Sequence, residues 1–456
     1  MLIRFAVENF LSFKKRVEFT MGASKILRHK DHIAKANDER LLKISLIYGA
    51  NASGKTNLVR AINVAKRIIL RGIDSFAFEK NYFRLDKNSK SEPCVFQFDI
   101  FANGHFYSYG FAINHTDRTV IEEWLYCTSQ NKCIFLRSFD GTNTIIELAE
   151  DLSIEEKNKL STYAEGLSTL NMRSSLFLTE IFNRSDNVSA YSHYHNVRTW
   201  FSDLIIIFPN SVLKSTYQNP CDKDTQTHFG KLLEHFDTGI IELKSEPKDL
   251  DKAFSNIPES LRNEIKTDLL QNLSDRGAAN PKARAAMGAG KSRLSIKFVD
   301  GGLVAEELLM NHGNNDDLFS LEDESDGTRR LFDLIPILFE AHNNKVIIVD
   351  ELDRSFHTKL SKEFLCIFLK NCKNKFSQLI ATTHDSNLLD LDFVRQDEIW
   401  FVERDCNHSS VLIPLDKFKV RFDKDIEKDY LLGRYGAIPL FNNCQDEDGL
   451  CECSKI

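Results

Sequence analysis

The sequence predicts an α/β fold built on a parallel sheet, and three stretches carry that prediction. The run "KISLIY" at 43–48 is apolar and strand-like, and a glycine-containing loop and a stretch with helical apolar spacing follow it. Two later runs, "KVIIV" at 345–349 and "QLIAT" at 378–382, are apolar enough to be strands buried on both faces. The segment between them, "TKLSKEFLCIFLKNCKNKFS", has the length of a helix, as a connection between neighbouring parallel strands requires.

Two further segments predict an antiparallel subdomain beside that sheet. Residues 1–25 alternate as strands, and residues 92–113 read as a hairpin that turns at Asn103 and Gly104. From about 150 to 275 the spacing is mostly helical. We therefore expect the first part of a lobe over 1–149, a helical insertion over 150–290 and a second part of the lobe over 291–456.

Composition indicates a soluble, cytoplasmic protein. The 456 residues carry 59 Lys and Arg against 66 Asp and Glu, a net charge of −7, so no general affinity for nucleic acid is expected. The longest apolar runs, such as "LIIIF" at 204–208, are far shorter than the roughly 18 residues of a membrane span. No secretory leader is evident, and the ten scattered cysteines read as reduced thiols.

The loop after the first strand fits a phosphate-binding pattern. Gly49, four residues, and then Gly54-Lys55-Thr56 match G-x-x-x-x-G-K-[ST] between a strand and a helix. The glycines let backbone N–H groups surround a phosphate, Lys55 neutralises its oxygens, and Thr56 is placed to hold Mg²⁺. The predicted nucleotide-binding residues of this segment are Gly49, Asn51, Gly54, Lys55, Thr56 and Asn57.

The apolar run at 345–349 ends on two carboxylates. Asp350 is placed to hold Mg²⁺ through its water shell, and Glu351 to orient or deprotonate an attacking water. Adjacent carboxylates also occur on surface strands, but this run is too apolar for a surface strand.

Two more segments can contact phosphate. His384 follows the run at 378–382, where it could donate to a γ-phosphate, although a histidine at a strand end is often structural. Ser325 and Gly327 in "SDGTR" precede a predicted helix; this pattern offers donors to a second phosphate and is also a common N-cap.

In this order the segments resemble the ABC-type ATPase head, in its DNA-repair and SMC-like branch. Residues 49–56 resemble the Walker A loop, "SDGTR" the signature loop, "VIIVDE" the Walker B strand, "LDRSFH" the D-loop, and His384 the switch histidine. The segments "MLIRFAVENFLSF", "IEEWLY", "DELDRSFH" and "EKDYLLGRYGAIP" further resemble stand-alone ATPases of bacterial abortive-infection and restriction-linked phage-defence systems, of the RloA or AbiL type. The signature is Ser-Asp-Gly-Thr where transporters have Ser-Gly-Gly-Gln, and Gln97 is only a weak candidate for the Q-loop glutamine.

The resemblance implies an ATP- and Mg²⁺-dependent homodimer or higher homo-oligomer. Ser325 and Gly327 of one copy would cover the ATP held by the other, and Asp353 would lie near the dimer seam. The implied role is an ATP-hydrolysing switch that controls a separate nuclease-like or RNase-like effector, with a phage protein as a possible trigger and no membrane partner.

Other interpretations stay open beside that one. A nuclease with its own acidic site would use Glu403, Asp423 and Asp425, and a DNA-repair ATPase is a further alternative; a transporter motor fits less well. The basic Gly- and Ala-rich segment 276–293 predicts a surface loop, or else a contact with nucleic acid or a partner. Weaker metal candidates are His193, His195, Cys444, Cys451 and Cys453, which read better as structural residues and a solvated tail.

Overall fold

The computed structural model divides into two compact units. The first unit comprises Met1–Asp203 and Ile380–Ile456, and the second comprises Leu204–Leu379. The structure describes residues 1–73, 80–150, 152–167, 173–184, 191–209, 223–250, 259–279, 284–289, 292–299, 302–418, 420–421 and 424–438.

The described residues include nine α-helices. They are α1 (Lys55–Arg71), α2 (Ile154–Leu167), α3 (Phe177–Arg184), α4 (Ser192–Asp203), α5 (Lys223–His235), α6 (Glu259–Ala279), α7 (Asp326–Glu340), α8 (Thr358–Asn371) and α9 (Ile426–Leu431). Within the part of the chain that is described, no helix is both long and apolar enough to cross a membrane.

The described ranges also contain nineteen strands. Those of the amino-terminal part are β1 (Leu2–Glu8), β2 (Val17–Thr20), β3 (Ile33–Ala36), β4 (Glu39–Leu42), β5 (Ile44–Tyr48), β6 (Cys94–Ala102), β7 (His105–Ile113), β8 (Val120–Cys127), β9 (Lys132–Phe139) and β10 (Thr144–Leu148). The others are β11 (Ile205–Ile207), β12 (Glu242–Lys248), β13 (Arg284–Ala289), β14 (Ser292–Val299), β15 (Gly302–Asn311), β16 (Val346–Val349), β17 (Gln378–Thr382), β18 (Ile399–Arg404) and β19 (Ser410–Pro414).

A seven-stranded antiparallel sheet forms much of the first unit, in the order β10-β9-β8-β7-β6-β1-β2. Its β6–β7 hairpin turns at Asn103 (φ 47°) and Gly104 (φ 82°), the left-handed pair that a tight two-residue hairpin needs. Phe98 packs its ring 4.9 Å from that of Phe201 of α4, so one face of this sheet is covered by helix. The predicted antiparallel subdomain and its turn are confirmed.

The strand that leads to the phosphate loop lies in a second sheet of the same unit. β5 is buried along its whole length and pairs in parallel with β18, with Leu46 opposite Ile399. β19 continues the sheet beside β18 as an antiparallel neighbour. This parallel pairing, with α1 directly after β5, confirms the α/β class.

The second unit combines a parallel pair with an antiparallel sheet. β11 pairs in parallel with β16, and β12, β15, β14 and β13 form a four-stranded antiparallel sheet in that order. Leu273 of α6 packs with Leu294 and Ile296 of β14 in the core beneath that sheet. The antiparallel sheet was not predicted. β12 falls in the stretch that was predicted to be helical and β13 in the predicted surface loop, and no strand was predicted at β14 or β15.

The basic segment 276–293 differs from the predicted surface loop. Its first residues belong to α6, which ends at Ala279, and its middle forms β13, Arg284–Ala289. β13 pairs with β14 residue by residue, from Arg284 opposite Lys297 to Ala289 opposite Ser292. The loop prediction is therefore wrong for these residues, because strand pairing overrides the low strand propensity of Ala and Gly. Residues 280–283 and 290–291 lie outside the described residues.

Candidate nucleotide-binding site

The phosphate loop joins β5 to α1 in the first unit. Gly49 and Gly54 are buried, and α1 begins at Lys55 as a 17-residue helix. Two residues of the loop have left-handed backbone conformations, Ala52 at φ 61° and Gly54 at φ 119°. This sharp turn points the first N–H groups of α1 into the loop, where the helix dipole favours an anion.

Both glycines stand where a side chain would not fit. A Cβ on Gly49 would lie 2.5 Å from Ser53 Oγ and 2.6 Å from the carbonyl oxygen of Val402. A Cβ on Gly54 would lie 2.2 Å from Ser410 Oγ and 2.9 Å from Ser12 Oγ. The loop is therefore closed by its surroundings, and only glycine lets the backbone itself line the site.

Lys55 is almost fully buried, with 6% of its surface exposed. Its ammonium group donates to the carbonyl oxygens of Gly49 at 2.7 Å and Ala50 at 3.2 Å, so the side chain folds back over its own loop. Ser53 Oγ is buried in the same loop, and the described residues give it no hydrogen-bond partner. A buried cation and an unpaired hydroxyl in a glycine-lined loop fit a bound phosphate group.

Two serines that the sequence analysis missed hold this loop. Ser410 Oγ donates to the carbonyl oxygen of Ser53 at 2.5 Å, and Ser410 N donates to the carbonyl oxygen of Ser12 at 2.7 Å. Ser12 Oγ in turn accepts from Asn57 Nδ2 at 2.9 Å. Asn57, predicted to contact nucleotide, thus braces the loop in this structure, while Asn51 is exposed and Thr56 is half-buried.

His384 lies in the same unit as the phosphate loop. Thr383 N donates to the carbonyl oxygen of Ile47 at 3.1 Å, so the turn after β17 lies beside the end of β5. His384 is exposed at this edge. The structure therefore places its imidazole at the carboxyl end of the parallel strands, where ligands bind in α/β sheets.

The two predicted carboxylates follow β16 in the second unit. Asp350 is 1% exposed, and its N–H donates to the carbonyl oxygen of Ile207 at 2.8 Å. Glu351 is half-buried and has a left-handed backbone conformation, φ 53°. Such a conformation costs about 1–3 kcal/mol in a non-glycine residue and is concentrated at functional sites. Asp353, two residues later, is half-buried.

The predicted signature residues begin α7, also in the second unit. Ser325 Oγ accepts from Thr328 N at 3.1 Å, so the serine is the N-cap of the helix, as its sequence pattern allowed. A Cβ on Gly327 would lie 3.0 Å from the carbonyl oxygen of Ser355, so this glycine lets the start of α7 approach the segment after Glu351.

Arg330 connects the signature helix to the carboxylates and was not predicted. Its guanidinium donates to the carbonyl oxygens of Asp350 at 3.1 Å and Glu351 at 3.0 Å. Burial lowers the pKa of Arg330, and the nearby carboxylates Asp333, Glu351 and Asp350 oppose that shift. The position of Arg330, three residues after Gly327, is the only signal in the sequence for this contact.

Most of the other candidates have structural roles. Glu403 accepts from Ala437 N, and Asp425 is the N-cap of α9. Gln97 bonds to Arg16, Asp99 and Ser108 on the antiparallel sheet. His193 lies 3.0 Å from the Tyr107 hydroxyl, and His195 lies 3.3 Å from that of Thr199. Asp423, Cys444, Cys451 and Cys453 lie outside the described residues.

Comparison with known families agrees with this geometry. Residues 44–390 match the family described as "AAA domain, putative AbiEii toxin, Type IV TA system", which is more than half of the 456-residue chain. The chain belongs to this AAA-domain family. As an AAA-family member it is a P-loop ATPase. The matched region contains the segment Gly49–Thr56, which fits the phosphate-loop pattern.

The solved structures that are similar to the chain include two SMC heads, and none of the curated proteins matches it. The SMC head domain from Thermotoga maritima is 11% identical with a TM-score of 0.34, covering 91% of this chain and 98% of that one. An SMC head bound to the C-terminal winged-helix domain of ScpA is 14% identical with a TM-score of 0.41, covering 91% of this chain and 99% of that one.

Proposed function

We propose that this AAA-family protein is an ATP-binding and ATP-hydrolysing switch whose nucleotide state controls its own assembly. The observation that carries the proposal is the closed phosphate loop, which contains two glycines that admit no side chain, an unpaired Ser53 hydroxyl and, directly after Gly54, the buried Lys55. Such a loop suits the β-phosphate of a nucleoside triphosphate, because it combines a cation, a hydroxyl and the N-terminus of a helix.

Each predicted residue would have its own chemical role. Lys55 would leave the carbonyl oxygens of Gly49 and Ala50 and bind phosphate oxygens, and Thr56 would hold Mg²⁺. By the family resemblance, Asp350 would hold Mg²⁺ through its water shell, and Glu351 would orient or deprotonate the attacking water. When bound, Mg²⁺ neutralises phosphate charge in the transition state.

The proposal gives Arg330 a positioning role. Its two bonds to the carbonyl oxygens of Asp350 and Glu351 hold the strained turn that carries the carboxylates. Because the same arginine belongs to α7, a movement of the helix that carries Ser325 and Gly327 would reach Glu351 directly. We expect this link to couple the signature loop to hydrolysis.

An ABC-type composite site would make ATP the link between two copies. Ser325 and Gly327 begin α7, a 15-residue helix whose N-terminus favours an anion, so they would cover ATP held by the Lys55 loop of a second copy. Asp353 and His384 would contact the γ-phosphate region. Hydrolysis would then remove those contacts and shift the population toward separated copies.

The proposed biological setting is a bacterial anti-phage system with a separate nuclease-like effector. It rests on the segments that resemble phage-defence ATPases and on the family description, which names a toxin and a TA system. A phage protein would be the trigger, and the effector would be released or activated by the change of nucleotide state.

Matched variants test the ATPase part of the proposal. Lys55→Met should weaken ATP binding about 10- to 100-fold, since a charge-assisted contact is worth roughly 1.5–3 kcal/mol. Glu351→Gln should keep ATP binding and lower hydrolysis by about 10²- to 10⁴-fold, the usual effect of losing a general base. The exposed Lys359→Met is the control, with unchanged binding and hydrolysis. Equal hydrolysis by wild type and Glu351→Gln would contradict the proposal.

A further inference from the structure

A second cluster of ligand-type side chains lies in the first unit, away from the phosphate loop. His29, Asp31 and His32 fall within four residues, between β2 and β3, and one potential ligand atom from each lies within 4.8 Å of the others. Among the described residues, no other group of three or more His, Cys, Asp or Glu side chains has its ligand atoms this close together. His32 is buried, His29 is half-buried and Asp31 is exposed.

Outer partners orient both imidazole rings. His32 Nδ1 lies 3.0 and 3.2 Å from the two carboxylate oxygens of Glu398, which is 0% exposed. His29 Nε2 lies 3.0 Å from the carbonyl oxygen of Leu391. Histidines that bind metals nearly always donate their other ring nitrogen to a carboxylate or a carbonyl oxygen in this way. These contacts leave His29 Nδ1 and His32 Nε2 for a ligand.

The backbone around the cluster is also fixed. Glu398 accepts from Arg395 N at 2.7 Å, and its own carbonyl oxygen accepts from Ser45 Oγ at 3.0 Å. Lys43 Nζ donates to the carbonyl oxygen of Asp31 at 2.7 Å and so leaves the Asp31 carboxylate to a ligand. His29 has a left-handed backbone conformation, φ 47° and ψ 55°. A strained residue between well-anchored neighbours is typical of a binding site.

We propose that His29, Asp31 and His32 bind a divalent transition-metal ion of the zinc class, with Glu398 and the Leu391 carbonyl oxygen as the outer shell. Two imidazoles and one carboxylate suit Zn²⁺ better than Mg²⁺ or Ca²⁺, which prefer oxygen ligands alone. Bonds of about 2.0–2.1 Å in a tetrahedral site separate the ligand atoms by roughly 3.3 Å. The exposed Asp31 carboxylate can move toward the two imidazoles by side-chain rotation.

The ion would have a structural role distinct from the nucleotide site. Glu398 directly precedes β18, and Ser45 lies at the start of β5, so the cluster sits at the amino end of these parallel strands. The phosphate loop follows the opposite, carboxyl end of β5. The ion would therefore fix the conformation of the segment 29–32, which contacts the start of both strands through Glu398, without contacting nucleotide.

The test is zinc binding by the metal-stripped, full-length protein without nucleotide, measured by calorimetry. Wild type should bind one more equivalent of Zn²⁺ than either His29→Gln or Asp31→Asn, or should bind that equivalent at least tenfold more tightly. The exposed His342→Gln is the control and should match wild type. Zn²⁺ should also raise the melting temperature of wild type and of the control, but not of the two ligand variants.

Cysteine-bound zinc is distinguished by a second readout. Cobalt bound to nitrogen and oxygen ligands shows visible d–d absorption without the thiolate charge-transfer band that cysteine ligands give. The His29-dependent equivalent should show the first spectrum. If wild type, His29→Gln and Asp31→Asn bind equal equivalents with equal affinity, or if the lost equivalent carries the thiolate band, the proposal is wrong. ATP binding by His29→Gln and Asp31→Asn should be unchanged. Failure of the metal proposal can therefore be distinguished from failure of the ATPase proposal.

Discussion

Replacing Gly54 by alanine tests the closure of the phosphate loop. The backbone at Gly54 has φ 119°, which costs a residue with a side chain roughly 1–3 kcal/mol. The new Cβ would lie 2.2 Å from Ser410 Oγ and 2.9 Å from Ser410 Cβ, and such overpacking costs roughly another 1–3 kcal/mol. We therefore expect Gly54→Ala to lower the free energy of unfolding of the first unit by roughly 2–6 kcal/mol.

The assay is urea unfolding followed by tryptophan fluorescence. All three tryptophans, Trp124, Trp200 and Trp400, lie in the first unit, so their emission reports on the unit that contains the loop. Gly72→Ala is the matched control at the other end of α1, because Gly72 has φ 82° and nothing lies within 4 Å of its added Cβ. Gly72→Ala should lower the free energy of unfolding only by the cost of the backbone conformation, roughly 1–3 kcal/mol, and should keep ATP affinity.

Combining Gly54→Ala with Ser410→Gly separates the destabilisation caused by the contact with Ser410 from that caused by the backbone conformation of Gly54. Ser410→Gly removes two of the three nearest atoms that the new Cβ would meet and leaves Ser12 Oγ at 2.9 Å. Gly54→Ala should therefore cost less in that background than in wild type, with a coupling of about 1–3 kcal/mol. If Gly54→Ala and Gly72→Ala destabilise equally and Ser410→Gly shows no coupling, the loop is not closed by Ser410, and this reasoning is refuted.

Three further variants test other contacts. Glu123→Gln should destabilise the first unit by about 3–5 kcal/mol, because it leaves the buried Arg137, 3.7 Å away, without its counter-charge; urea unfolding measures this. Gly436→Ala should lower the melting temperature, because its Cβ would fall 1.3 Å from Glu403 Oε1. Arg330→Lys should lower ATP hydrolysis about 10- to 100-fold with ATP binding kept, because the shorter lysine does not extend its ammonium to the position of the Arg330 Nη2 atom that donates to both carbonyl oxygens; steady-state phosphate release measures this.

Each of these variants has a neighbouring control. The exposed Glu122→Gln should change stability by less than about 0.5 kcal/mol. Gly433→Ala has a similar φ, 75°, but meets only the mobile end of Ile438, so it should cost less than Gly436→Ala. Arg329→Lys should keep hydrolysis, since the Arg329 guanidinium contacts Glu322, Glu324 and Asp326 rather than the carboxylate turn. Equal effects of any variant and its control would contradict the corresponding contact.

Periodicity predicted the strands around the nucleotide loop well because their burial is complete. β5, β16 and β17 are buried at every residue, so each appears in the sequence as an unbroken apolar run. The sequences of β12 and β13 contain no such apolar run. β12 is "ELKSEPK" and β13 is "RAAMGA", and both form strands because β15 and β14 supply hydrogen-bond partners.

The candidate site was predictable only where one short segment contains the whole motif. The glycines and Lys55 follow from spacing, because the phosphate loop is a local structure. The contact of Ser410 with Ser53 joins residues 357 positions apart, and no local pattern marks it. The three ligand-type residues of the metal-type cluster are close in sequence, but Glu398, which orients His32, lies 366 residues away. Local sequence therefore does not show that the buried imidazole is held in place.

The most direct test of the switch is the mass of the protein in solution, measured by light scattering with and without ATP and Mg²⁺. Wild type should shift reversibly to a larger form as ATP is added and consumed, and Glu351→Gln should stay in the larger form because it binds ATP without hydrolysing it. If both proteins keep one mass with and without ATP, then ATP does not join the copies, and the switch account is contradicted.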